Sequence, residues 1–236
     1  MQKLIVSILS LLLFSCAEKK SDKNLQITGN VKGLKKGTLY IQKVKDTSVI
    51  TIDTILIDGD SHFATEMNID SPEMFYLFLD RGVTKSIDNS LPFFVEPGKI
   101  DIETTLNFFS SDAKITGSKN QELYNEYKLV ASRFVDQDLE LIKKRFEAIK
   151  NKNVEELNRI TEKQESIIKK KYLYTTNFAV NNADFEVAPY LALAEIPDIN
   201  LKYLDTIQKS LSPKVAKSTY GKKLDVLIKE RKASEK

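Results

Sequence analysis

Hydrophobic residues along this chain keep three different rhythms. Leu4 to Phe14 is almost wholly apolar, interrupted only by Ser7 and Ser10. This run of about ten residues is half of the roughly 20 that a membrane-spanning helix needs. From Leu25 to about Thr116 the period is two. Leu25–Val31 alternates, Thr38–Val44 follows the turn Lys35-Lys36-Gly37, and Val49–Ile57 is rich in β-branched residues, with Ile50, Ile52 and Thr54 predicted on one face. Asp58-Gly59-Asp60 reads as a tight turn and Phe63–Ile69 as the returning strand. Phe75–Leu79 is a continuous apolar run, predicted to be a strand covered on both faces. Pro92–Val95, the turn Glu96-Pro97-Gly98-Lys99 and Ile100–Glu103 form a last hairpin, and Lys114–Thr116 closes the region. Seven or eight short strands at this spacing predict a small antiparallel sandwich.

At Gly117 the period lengthens. Ser118 is a candidate helix cap, with Gln121 three residues on in a capping-box arrangement. Leu123, Tyr127, Val130, Phe134, Leu141, Ile142, Phe146 and Ile149 then fall at helical steps. Asn151-Lys152-Asn153 breaks the pattern, and Asn153 with Glu156 repeats the cap signal. Val154, Leu157, Ile160, Ile167, Ile168, Tyr174 and Phe178 make a second stripe. Two helices of about 30 residues joined this closely fold back as a hairpin. Shorter helices are predicted over 187–196, 201–211 and 214 to about 231, the last opened by Ser212 as cap and Pro213 in the first position. The fold class is therefore α+β: an antiparallel β-sandwich-like domain over 25–117, then an α-helical region with a long hairpin over 118–236.

The amino terminus adds a location. Lys3 supplies one positive charge before the apolar run, which has the length of a signal-peptide core. Leu13-Phe14-Ser15-Cys16 resembles the lipobox of bacterial lipoproteins, with an apolar residue at −3, a small one at −1 and then cysteine. The resemblance implies cleavage after residue 15 and lipidation of Cys16. Acyl chains at one residue hold a soluble domain at a bilayer with about 0.8 kcal/mol per buried CH2. Residues 17–24, Ala-Glu-Lys-Lys-Ser-Asp-Lys-Asn, are polar and have no large apolar group, so 16–24 reads as a lipidated cysteine and tether. The expected location is the cell envelope, lipid-anchored and facing the periplasm.

Composition narrows the chemistry. Residues 25–116 carry 9 Lys+Arg and 13 Asp+Glu, a net of −4; residues 117–236 carry 23 and 18, a net of +5. Basic and acidic residues are interspersed in the second part, the pattern of a solvated helical surface, and nucleic acid is not an expected partner. With a single cysteine, the chain alone cannot carry out dithiol–disulfide exchange or form an internal disulfide. His62 is the only histidine, and it stands beside a turn, where a surface role is expected. Asp53, Asp58 and Asp60 offer oxygens to a cation, but without the spacing of a twelve-residue calcium loop; turn chemistry accounts for them, and no metal or cofactor is expected. Lys169-Lys170-Lys171 beside Tyr172 and Tyr174 reads as a solvated turn of helix.

Several motifs together carry a family resemblance. They are Ile27-Thr28-Gly29-Asn30-Val31-Lys32-Gly33, Gly37-Thr38-Leu39-Tyr40-Ile41, Ile52-Asp53-Thr54, Asp58-Gly59-Asp60-Ser61-His62-Phe63, Phe94-Val95-Glu96-Pro97-Gly98 and Ile115-Thr116-Gly117-Ser118. They resemble the uncharacterised N-terminal domain, of unknown function, that precedes the thioredoxin domain in lipid-anchored thiol–disulfide reductases. Ser218–Leu224 looks like the helix leading into that thioredoxin domain. The sequence ends at Lys236, where such a domain would begin, and holds no Cys-x-x-Cys, so the redox activity of those proteins is not expected here. The chain is expected to be a non-catalytic, membrane-anchored binding or interaction module with an envelope protein as partner. Tyr76, Phe78, Phe93 and Phe94 are its candidate contact surface, together with the long helical hairpin. The alternative is an accessory that docks a separate thioredoxin-like reductase. Further readings are a carboxylate-based enzyme and a carrier of a small apolar ligand.

Overall fold

Among the described residues, eight strands, with one 3-10 turn (Ile87–Asn89) before the sixth, precede six α-helices. A computed structural model describes residues 22–82 and 86–235. The expected signal segment and Cys16 lie outside the described residues. The strands are β1 (Leu25–Lys32), β2 (Lys36–Lys45), β3 (Ser48–Asp58), β4 (His62–Met67), β5 (Glu73–Asp80), β6 (Ser90–Val95), β7 (Gly98–Thr105) and β8 (Lys114–Thr116). The helices are α1 (Lys119–Lys150), α2 (Val154–Asn181), α3 (Val187–Glu195), α4 (Leu201–Ser210), α5 (Pro213–Ala216) and α6 (Thr219–Ser234). The strands form two four-stranded sheets, ordered β4-β1-β7-β8 and β3-β2-β5-β6.

Alternation builds the sandwich. In β1 every second residue from Leu25 to Val31 is buried. Leu25, Ile27, Leu39, Ile41, Phe75, Leu77, Leu79, Leu91, Phe93, Ile100 and Ile102 share the core between the sheets. The sandwich is not wholly antiparallel: β1 runs parallel to β7, pairing Leu25 with Gly98 and Lys32 with Thr105. Parallel neighbours need a long crossover, and here the chain between β1 and β7 passes twice through the other sheet. In β3 the predicted phase also fails. A bulge at Ile41/Gln42 carries the register from Asp53 to Thr51 and leaves Ile52 without a partner. Ile52 is therefore exposed, and only Ile57 of β3 is fully inside.

The helix starts follow the cap signals. Ser118 Oγ accepts from Gln121 N, Asn153 Oδ1 from Glu156 N and Ser212 Oγ from Val215 N. The predicted last helix is divided in two. Ser218 caps α6 by accepting from Gly221 N, and a Cβ on Gly221 would stand 2.1 Å from the Val215 carbonyl oxygen. The chain turns too tightly there for α5 to run on into α6. Tyr127 and Thr175 share a hydroxyl–hydroxyl contact of 2.9 Å across the hairpin, and Tyr127 stacks on Tyr174 with centroids 5.6 Å apart. No helix among the described residues is long and apolar enough to cross a membrane.

The helices cover the outer face of the β3-β2-β5-β6 sheet at one end. Met74 and Phe94 pack there against Leu123, Tyr127, Val187 and Leu191. The passage from β8 to α1 depends on Gly117, at φ +94°, where an added Cβ would lie 1.9 Å from the Lys99 carbonyl oxygen. Gly59, at φ +95°, has nothing within 4 Å of such a Cβ. Both glycines suffer the left-handed backbone, but only Gly117 suffers the clash. Gly59→Ala should lower stability by about 1 kcal/mol and Gly117→Ala by about 3 kcal/mol or more, read as the difference between their urea unfolding midpoints.

Candidate functional site

The start of α1 is where sheet, hairpin and short helices meet, and the side chains that join them line a cleft of about 550 Å³. Its walls come from the β4–β5 connection (Asp70, Ser71), the β6–β7 turn (Glu96), the α2–α3 link (Asp184, Glu186) and the α5–α6 corner (Lys214, Lys217, Thr219, Lys222).

Asn120 sits at the centre of this arrangement, 2% exposed. Its amide nitrogen donates to Glu96 Oε2 at 2.8 Å and to Glu186 Oε2 at 3.3 Å, while its oxygen accepts from Val187 N at 2.8 Å. Glu96 also receives the backbone N–H groups of Lys119, at 2.8 Å, and Asn120, at 3.3 Å. A carboxylate at a helix start is the arrangement that the helix dipole favours. Asn120 likewise caps α3, whose own cap residue, Glu186, makes no side-chain capping bond. Glu186 is 2% exposed, and its Oε1 has no hydrogen-bond partner among the described residues.

Gln121 completes the junction. Its Oε1 accepts from Phe94 N at 2.7 Å, and its amide nitrogen donates to Asn125. The predicted capping box is thus half realised: Ser118 serves the helix, but the Gln121 side chain serves the free edge of β6. The α6 end is tied by Tyr220, whose hydroxyl accepts from Met74 N at 2.8 Å, and by Thr219, whose hydroxyl is 3.1 Å from that of Ser71 and donates to Glu73.

A cluster of aromatics adjoins these contacts. Phe94 meets Tyr190 at 5.1 Å, Tyr124 at 5.8 Å and Tyr220 at 6.5 Å between centroids, all edge to face. Burial pushes the phenols of Tyr190, Tyr220 and Tyr127 well above the ordinary tyrosine value, so they stay neutral in the folded chain. At the rim, Lys214, Lys217 and Lys222 are exposed and form no ion pair among the described residues, whereas Lys119 pairs with Glu122 at 2.9 Å.

The residues singled out in the sequence are distributed otherwise. Phe93 and Phe94 are fully buried and are not contact surface. Phe93 points into the sandwich, 6.5 Å from Phe75, and Phe94 points out but lies beneath the helices. Tyr76 and Phe78 remain half-buried on the outer face, where Phe78 lies 6.3 Å from Tyr40. His62 is exposed, with Nδ1 2.7 Å from Asp60 Oδ1. Asp53 accepts from the Thr65 hydroxyl and Asp58 pairs with Lys36 at 3.3 Å, so the three aspartates turn to different partners. In the lysine run, Lys171 pairs with Glu195 at 2.8 Å and Lys169 approaches Glu165 at 3.9 Å. Among the described residues no group of three or more His, Cys, Asp or Glu side chains is placed to hold a metal ion. The sequence reading passed over Asn120 and Glu186. A polar residue two positions after a helix cap signals only a helix start, and nothing near Glu186 marks it as buried.

Residues 25–124 match the model of a family described as a domain of unknown function (DUF4369). The match runs from β1 to the first turns of α1, so it includes Glu96 and Asn120 but stops before Glu186 and the lysines of α5 and α6. No curated protein matches the chain.

Two outcomes follow from this geometry. Asn120→Ala would strip the shared donor from two carboxylates and the acceptor from Val187 N; a loss of about 3 kcal/mol is expected in chemical unfolding, with a larger loss for Asn120→Asp, which sets a third carboxylate between the two. The raised phenols make stability fall at alkaline pH. Unfolded tyrosines ionise near 10.0 while the folded ones stay protonated, so their contribution is complete below that pH and is lost as pH rises above it. In a spectrophotometric titration, the phenolate signal of the buried tyrosines should appear only together with loss of circular dichroism.

Proposed function

We propose that this chain is a non-catalytic binding module, held by a lipid on Cys16 at the periplasmic face of a membrane, and that its partner is a protein whose acidic segment enters the cleft between sandwich and helices. Glu186 carries this reading. A buried carboxylate oxygen without a donor costs roughly 1–3 kcal/mol, and an N–H or O–H group of an occupant recovers it. Around that acceptor, Lys214, Lys217 and Lys222, unpaired among the described residues, present charge to acidic groups of the same occupant. The acids at hand are bound within the fold or lie at the rim: Glu96 is occupied by two backbone N–H groups and Asn120.

The accessory reading, in which the partner is a separate thioredoxin-like reductase, draws support from the match of residues 25–124 to an uncharacterised family, together with the resemblance of those motifs to the region preceding such reductases. The charged lining of the cleft gives no support to a carrier of apolar ligands, which needs a mostly apolar cavity.

The test is photo-crosslinking in intact cells from a reactive residue placed at Lys222. A defined crosslinked protein is expected, and Lys214→Glu with Lys217→Glu should reduce its yield at least tenfold. An unchanged yield in that variant, or no crosslink at all, would overturn the cleft as the binding surface. Recovery of a thioredoxin-like protein would select the accessory reading. Anchoring is tested separately. Cys16→Ser should abolish incorporation of labelled fatty acid and release processed chain from the membrane fraction; a processed variant that stays membrane-bound would refute the lipid tether.

A further inference from the structure

Away from the cleft, the far half of the hairpin is thinly built. Its core holds only Leu141, Ala148 and Ile160 as fully buried residues, with Leu157 and Ile167 beside them. Yet α1 carries a second apolar stripe there: Val135, Leu139, Ile142, Phe146 and Ile149, at steps of four, three, four and three. Val135 is 53% exposed, Leu139 51%, Phe146 70% and Ile149 54%. The seam toward α2 (Tyr127, Phe134, Leu141, Ala148) keeps a strict seven-residue spacing about 110° round the helix. A helix with two such seams is the helix of a four-helix bundle, which has a neighbour on each of two sides. Here only one neighbour is supplied.

The charges beside the stripe say what the second neighbour is. On one flank stand Asp136, Lys143 and Lys150; on the other stand Asp138 and Arg145. Both flanks are acidic toward the start of the helix and basic toward its end. A second α1 laid alongside end for end sets Leu139 against Ile142 and Val135 against Phe146. The same register sets Asp136 against Lys143 and Asp138 against Arg145, each pair made twice by the two-fold axis. A parallel copy in matching register would set Asp138 beside Lys143 but Arg145 beside Lys150, so attraction and repulsion would offset each other. An anionic bilayer would meet Asp136 and Asp138 at the acidic end. Asp138 and Arg145 are already oriented by one residue, Gln164 of α2, at 2.8 and 3.3 Å.

We infer that two copies of this chain associate antiparallel through the Val135–Ile149 stripe of α1, over about 21 Å of helix, and complete a four-helix bundle from two hairpins. The contact is isologous, and each copy keeps its own cleft.

The full chain in detergent, measured by size-exclusion chromatography with light scattering that resolves protein mass within the micelle, tests this. The wild type should show twice the mass of one chain. Lys143→Glu with Arg145→Glu makes both flanks acidic around the centre of the stripe, and Asp136→Lys with Asp138→Arg makes them basic. Each double variant should fall to the mass of one chain with unchanged circular dichroism, and an equimolar mixture of the two should return to twice that mass. A single-chain wild type, or charge variants that keep the doubled mass, would overturn the proposal. In proteoliposomes, quenching of a Phe146→Trp reporter by brominated acyl chains would place the stripe in the bilayer and would overturn it equally.

Discussion

The amide of Asn120 meets three requirements at once. The start of α1 needs acceptors for its free N–H groups, the start of α3 needs the same, and the turn carboxylate of Glu96 needs donors. Glu96 answers the first need, and Asn120 links the other two. Next to it, Gln121 closes the free edge of β6 through Phe94 N. Within one turn of helix, sandwich and helical region are thus held by buried polar bonds, which lose their value unless both sides are in place. The apolar contact of Met74 and Phe94 with the helices supplies the larger driving force, but it is non-directional. The amides set where the helices stand on the sheet.

From that anchor the helical region runs in two directions. Back toward the sheet, α3, α5 and α6 return and leave the cleft, with Glu186 inside it and lysines of α5 and α6 around it. Away from the sheet, the hairpin leaves the body, and its packing thins from the stacked Tyr127 and Tyr174 to a core of three buried residues. A two-helix element has one seam to bury. The apolar side chains left over on α1 therefore face water, in a regular pattern, beside charges that are acidic at one end and basic at the other.

Much of this was legible because the signals are local. All eight strands and the cap residues Ser118, Asn153 and Ser212 stand where turn chemistry and alternation put them. Other expectations failed where a distant group competed. The Gln121 side chain reaches β6 instead of its own helix start. Ile52 is the extra residue of a bulge in β3, opposite Ile41 and Gln42 of the neighbouring strand. Phe93 and Phe94 are adjacent aromatics that alternation sends to opposite faces, and both faces are covered: one by the second sheet, the other by helices that begin more than twenty residues later. A run of aromatics in sequence cannot show which faces a later segment will cover.

The sequence by itself determined the elements, their order and the division at Gly117, because hydrophobic period, caps and glycines act within a few residues. Tertiary structure alone decided the cleft, since Glu96, Asn120, Glu186 and Lys217 lie up to 121 residues apart and nothing local makes any of them unusual. It also decided which apolar stripe of α1 is core and which is surface. Both stripes have helical spacing in the sequence. They differ only in having, or lacking, α2 against them, and burial is a property of the neighbour as much as of the residue.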